Sequence, residues 1–137
     1  MIISSFFSTY SVLGNYEAVE TSLIGEMLTE NDFLTFEDKY LSGGCKKGST
    51  KSSPISTGFR IPAKLSKEVE KKIYDLSLAS FRALNLKGVT RFDFLVNKKT
   101  NEVFVNEPNT IPGSLAFFFF TPKGISYEKL LDTVITL

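Results

Sequence analysis

No histidine and no tryptophan occur anywhere in the 137 residues. Without histidine there is no Ser–His–Asp triad, no imidazole general base and no imidazole metal ligand. Acid–base or metal chemistry must run through carboxylates, amides, lysine, tyrosine or the single cysteine, Cys45. One cysteine excludes an intramolecular disulfide and suits a reducing compartment. An excess of either charge is also lacking: 16 Lys and Arg stand against 15 Asp and Glu, a formal net charge of +1. Such a chain has no overall electrostatic reason to seek nucleic acid or an anionic membrane. Lys46, Lys47 and Lys51 do cluster, but no aromatic platform is interleaved with them. Nor is that stretch a phosphate-binding Walker loop, since Gly48-Ser49-Thr50 lacks the required lysine. Long apolar runs are missing. The longest, Leu115 to Phe120, falls far short of the roughly 20 residues of a membrane-spanning helix. Met1 to Thr9 has neither the basic start nor the apolar length of a secretory signal. The expectations are a cytoplasmic location, no nucleic-acid partner and no membrane.

What is present is an ordinary globular composition, 42% hydrophobic and 23% charged, with 13 phenylalanines. The length fits one domain, 1–137, able to bury a core without disulfides or metals. Residues 2–13 read as a strand ending at the turn signal Leu13-Gly14-Asn15, and 18–28 as a second strand. A Gly, Ser, Lys and Pro-rich stretch, about 42–56, reads as a flexible loop. Leu65 to Leu84 is expected to be a helix, with Val69, Ile73, Leu76, Ser80 and Ala83 as its buried stripe. Ser66 is placed to cap its start and Asn85 its end. Residues 88–96 and 103–109 read as a hairpin, and a shorter helix follows from Ser126 with Ile125 and Leu130 as a hydrophobic staple. The fold class is therefore α+β: a mainly antiparallel sheet with one long and one short helix.

The hairpin carries the chemistry. If 97 opposes 103, then 95 opposes 105 and 93 opposes 107, and opposed residues share a face. Arg91, Asp93, Glu107 and Asn109 then project together, while Phe92, Phe94 and Val96 point towards the helix. Two carboxylates about 5 Å apart at Cβ repel unless a cation lies between them. Carboxylate and amide oxygens suit Mg²⁺, with Arg91 as a donor fork for phosphate. The same pattern also describes a solvated sheet face with a surface salt bridge, such as Arg91 to Glu107. The pattern alone leaves both readings open.

Arg91-Phe92-Asp93-Phe94, a turn, then Asn106-Glu107-Pro108-Asn109-Thr110-Ile111-Pro112-Gly113 resembles the C-terminal signature of D-alanine–D-alanine ligases and related ATP-grasp carboxylate–amine ligases. Val12-Leu13-Gly14-Asn15, Gly25-Glu26, Glu37-Asp38-Lys39-Tyr40-Leu41 and Ile61-Pro62-Ala63 resemble successive family blocks. The resemblance implies the C-terminal half of an ATP-grasp fold, and peptidoglycan precursor synthesis as the family's setting. In that family the γ-phosphate of ATP passes to a carboxylate, and an amine attacks the acyl-phosphate. By position, Asp93, Glu107 and Asn109 look like ligands of the Mg²⁺ (or Mn²⁺) ions on ATP, with Asn106 and Glu107 at the nucleotide. Arg91 and the Gly113 amide look like the groups that stabilise the oxyanion. Lys39 looks like a contact to the transferred phosphate, with Tyr40 beside it near an amino-acid-like substrate.

Three departures accompany the match. Only the last subdomain of the family is represented. Phe7 stands where the family has an acid that helps hold the ribose. Phe118 falls where the family has a serine that binds the substrate carboxylate. Two functional expectations follow: part of a ligase site completed by further residues, or a truncated, non-catalytic fragment that folds and self-associates. Read as a strand, the 115–120 Phe run would put alternate rings outward and support a homodimer.

Overall fold

A computed structural model describes residues 5–28 and 58–137. The expected flexible loop 42–56, Cys45, Lys39 and Tyr40 lie outside the described residues. Among the described residues, no helix is long and apolar enough to cross a membrane.

The α+β expectation holds, and the sheet is antiparallel throughout. Strands β1 (Ser5–Gly14) and β5 (Gly88–Asn97) form its centre, paired residue for residue from Ser5↔Asn97 to Gly14↔Gly88. The order is β4-β3-β1-β5-β6, where β3 is Gly25–Met27, β4 is Phe59–Arg60 and β6 is Val103–Asn109. A further strand, β2 (Val19–Thr21), pairs with the end of β1. The single strand expected at 18–28 is thus two, because the backbone between them is drawn elsewhere. Leu23 N–H donates to the Phe119 carbonyl at 3.1 Å, and the Ile24 carbonyl accepts from Ala63 N–H at 2.8 Å.

Helix α1 (Lys67–Ala83) lies on one face of the sheet. Ser66 caps it as expected, its hydroxyl accepting from Val69 N–H at 3.3 Å. The other end closes with Asn85 at φ 50°, Leu86 N–H bonding the Phe81 carbonyl and Asn85 N–H the Arg82 carbonyl. That is the paired-bond C-terminal motif in which asparagine tolerates the left-handed position. The buried stripe, however, is Val69, Ile73, Ser77 and Phe81. Leu76 and Ser80 are only half-buried, and Ala83 is exposed. The sheet selects an every-fourth-residue stripe, and Phe81 is the larger payload. Ser77 enters it by donating to the Ile73 carbonyl at 2.7 Å. The stripe packs on Tyr10, Val12, Phe92, Phe94 and Val96, forming the main core.

The other face carries a second core towards one end. There Leu13 and Val89 meet Phe120, Ile125 and Leu130 in a second core. Helix α3 (Tyr127–Thr136) starts at Ser126, whose hydroxyl accepts from Lys129 N–H at 3.2 Å. Ile125 and Leu130 are both buried beside it, as the expected staple requires.

The Phe run is not a strand. After Pro112 the chain makes a left-handed turn, with Ser114, Leu115 and Ala116 at φ 49°, 54° and 53°. A four-residue helix, α2 (Phe117–Phe120), follows, so the described residues hold a third α-helix beside the long and the short one expected. A strand would send Phe119 and Phe120 to opposite faces. The helical turn lets both reach the interior, where each is fully buried. Phe117 is the run's exposed ring, so most of the apolar surface expected to drive a homodimer is internal.

Candidate functional site

The sheet face opposite α1 carries Thr9 and Ser11 from β1, Arg91 and Asp93 from β5, and Glu107 and Asn109 from β6, buried at β1 and exposed at Glu107. Cross-strand pairing fixes this: Thr9↔Asp93↔Glu107 in one row and Ser11↔Arg91↔Asn109 in the next. Pairing of Asp93 with Glu107 agrees with the hairpin reading, but by a different route. Near the turn the observed pairs are Val96↔Val103, Leu95↔Phe104 and Phe94↔Val105, one residue away from the expected 97–103 and 95–105. Asn97 causes the slip. Its side-chain oxygen accepts from Lys99 N–H at 2.9 Å and Thr100 N–H at 3.3 Å, and its own N–H pairs with the Glu102 carbonyl. A bulge opposite Asp93/Phe94 then takes up Asn106 and restores Asp93↔Glu107. Pro108 pairs with Phe92 on the edge strand β6, where a missing N–H is tolerated.

The side chains form a partly buried polar cluster. Thr9 Oγ1 donates to Asp93 Oδ1 at 2.9 Å, and Arg91 Nη2 lies 3.4 Å from Asp93 Oδ2. Arg91 therefore pairs with its strand neighbour rather than with Glu107, as the salt-bridge reading would have it. Glu107 is exposed, and among the described residues no cation pairs with it. Asn109 Oδ1 accepts from Ile111 N–H at 3.1 Å, which holds the amide in place and leaves a second lone pair. Among the described residues, two buried side-chain polar atoms have no partner, Arg91 Nε and Ser11 Oγ, on directly paired residues. Among the described residues no group of three or more Asp, Glu or Cys forms a metal cluster. Asp93, Glu107 and Asn109 on this face offer two carboxylates and an amide oxygen, hard donors whose chemistry would suit Mg²⁺ or Mn²⁺. The orphaned Arg91 Nε fits an anionic oxygen arriving alongside.

Asn106 is exposed at the bulge, and Gly113 opens the left-handed turn beyond β6. Three successive non-glycine residues at positive φ cost roughly 1–2 kcal/mol each, strain of the kind stored at functional sites. Phe118 lies in an aromatic cluster, its ring centre 4.4 Å from Phe119 and 6.2 Å from Phe59. Thr9 and Ser11 had no local signal in the sequence. Their place on this face depends on the pairing of β1 with a strand some eighty residues away.

A sheet in this order, with one long helix behind it and an Asp–Glu–Asn set on the opposite face, is the C-terminal half of an ATP-grasp fold. The family model described as "D-ala D-ala ligase C-terminus" matches residues 6–136. The chain belongs to that family. It is 38% identical over 132 residues to the D-alanine–D-alanine ligase of a Thermoanaerobacter species, covering 93% of this chain and 33% of the relative. To that of Thermosipho melanesiensis it is 34% identical over 127 residues, 93% of this chain and 32% of the relative. Among solved structures it resembles the D-alanine–D-alanine ligase from Coxiella burnetii, with a TM-score of 0.69 and 27% identity over 97% of this chain and 31% of the other. It also resembles the VanG D-Ala:D-Ser ligase from Enterococcus faecalis, with a TM-score of 0.68 and 26% identity over 96% of this chain and 36% of the other. The chain spans about a third of the length of these relatives.

Proposed function

We propose that these residues form one wall of the ATP- and Mg²⁺-binding site of a cytoplasmic D-alanine–D-alanine ligase-like enzyme, an ATP-dependent carboxylate–amine ligase serving peptidoglycan precursor synthesis. The observation that carries the reading is the row Asp93↔Glu107 with Asn109 one pair further on, all on the sheet face opposite the long helix. Asp93, Glu107 and Asn109 would hold the divalent cation, which when bound neutralises the charge of the ATP phosphates. Arg91, with Nε unpartnered, donates to an anionic oxygen, and the Gly113 amide serves the same developing charge. Asn106, Lys39 and Tyr40 belong to the same proposal, the first at the nucleotide and the other two at the transferred phosphate and an amino-acid-like substrate. Phe118, in its aromatic cluster, offers no hydroxyl to a substrate carboxylate, so the second substrate need not be D-alanine.

Phosphoryl transfer rests on positioning and electrostatic stabilisation from all sides of the cleft. The 137 residues alone are therefore expected to bind the cation weakly and to turn over nothing. Mn²⁺ binding followed by electron paramagnetic resonance tests the site. Wild type should bind, and Asp93→Asn and Glu107→Gln should each weaken binding at least tenfold, as losing a charged ligand requires. Equal affinity in all three would overturn the assignment.

A further inference from the structure

We propose that Thr9 is a positioning residue for the Asp93 carboxylate, holding it in a cation-ready orientation and keeping Arg91 from closing on it. This rests on the metal reading above and adds to it a residue on a different strand.

Thr9 sits in β1, is 2% exposed, and spends its one hydroxyl proton on Asp93 Oδ1 at 2.9 Å. Its β-branched side chain has little freedom at χ1, and β1 is a central strand flanked by β3 and β5. The donor is therefore fixed with respect to Asp93. The other carboxylate oxygen has only the long 3.4 Å contact from Arg91 Nη2. At that distance the guanidinium is not engaged as a two-bond fork, although its charge is close and its side chain is only 24% exposed.

The two partners differ in what they leave for a cation. A neutral hydroxyl takes one lone pair and no charge, so the carboxylate keeps its full negative charge and spare lone pairs on both oxygens. A guanidinium drawn into a bidentate pair would neutralise that charge and compete directly with the cation. With the hydroxyl removed, a carboxylate only 17% exposed must find a replacement donor, and Arg91 is the nearest. Thr9 thus acts through Asp93, and its loss should be felt as weaker cation binding rather than only as lower stability.

The test uses the full 137-residue chain as Thr9→Ser, which keeps the hydroxyl, and Thr9→Val, which keeps the shape and removes it. Where Thr9→Val does not fold, Thr9→Ala carries the same expectation. Mn²⁺ affinity should match wild type in Thr9→Ser and fall about tenfold or more in Thr9→Val, the usual effect of losing a partner behind a metal ligand. The Asp93 χ1 rotamer, read from three-bond NMR couplings without metal, should be that of wild type in Thr9→Ser and shifted or averaged in Thr9→Val. A purely structural Thr9 would lower the melting temperature of Thr9→Val with Mn²⁺ affinity and the Asp93 rotamer unchanged, and that result overturns the proposal. If wild type binds no Mn²⁺, the metal reading fails on its own. The rotamer then decides: unchanged in Thr9→Val it overturns the role of Thr9, and altered it upholds Thr9 as the group that orients Asp93.

Discussion

Gly25 and Phe119 should behave as one unit, although they lie 94 positions apart. A methyl group built on Gly25 would overlap the Phe119 ring edge. The ring cannot retreat cheaply. It is fully buried, its centre is 4.4 Å from that of Phe118 and 5.2 Å from that of Phe59, and its carbonyl is held by Leu23 N–H. Gly25 also accepts from Ser8 Oγ at 2.9 Å through its own carbonyl, so β3 is not free to move outward. Gly25→Ala should therefore cost about 1–3 kcal/mol by overpacking. Phe119→Ala should cost about 3–5 kcal/mol, the transfer term plus the cavity it leaves. Independent effects would sum to about 4–8 kcal/mol, most of a typical domain's stability of roughly 5–15 kcal/mol. In the double variant the new methyl has no ring to meet and fills part of the cavity. The pair should be less damaging than the sum by about 1–3 kcal/mol. Urea unfolding of wild type, both single variants and the double variant measures this, with Phe119→Leu replacing Phe119→Ala where the latter is too unstable. Additivity within about 0.5 kcal/mol, or a neutral Gly25→Ala, would refute the packing argument.

Two further outcomes concern the site's surroundings. Ser114→Gly removes the Cβ from an exposed residue at φ 49° and should raise stability by about 1 kcal/mol; an unchanged or lower denaturation midpoint would show that the left-handed turn carries no strain. Burial pushes the Tyr10 phenol above its ordinary value, opposed by a hydrogen bond with Thr21 and aided by Tyr74. Below about pH 10 both folded and unfolded phenols are protonated; above it the unfolded one ionises first, so this stabilisation is lost as pH rises through the folded value. The stability advantage of wild type over Tyr10→Phe should shrink from about pH 10 upwards, and a difference constant with pH would contradict the burial effect.

How legible this protein is depends on how far apart the interacting residues lie. Periodicity and capping chemistry are local, and they sufficed for α1, α3, their serine caps, the Asn85 end and the staple of Ile125 with Leu130. Alternation within β5 assigned Phe92, Phe94 and Val96 to the core and Arg91 and Asp93 to the opposite face, and the signature at 106–113 pointed to the family. Local rules failed where a distant partner intervened. The Phe119 carbonyl and Ala63 N–H split 18–28 into two strands, and the separate packing of Phe119 with Phe59 and Phe118 and of Phe120 in the second core wound the Phe run into a helical turn. Asn97 shifted the hairpin register and a bulge restored it, so Asp93 meets Glu107 only because two irregularities cancel. Composition and pattern determined that the chain has no histidine and that carboxylate and amide side chains share one face of the hairpin. Only the tertiary structure decided which hydroxyl holds Asp93, which carboxylate Arg91 approaches, and which phenylalanines are out of reach of a partner. Side-chain alternation is written into each strand, but the pairing of strands far apart in the chain is settled by packing of the whole sheet.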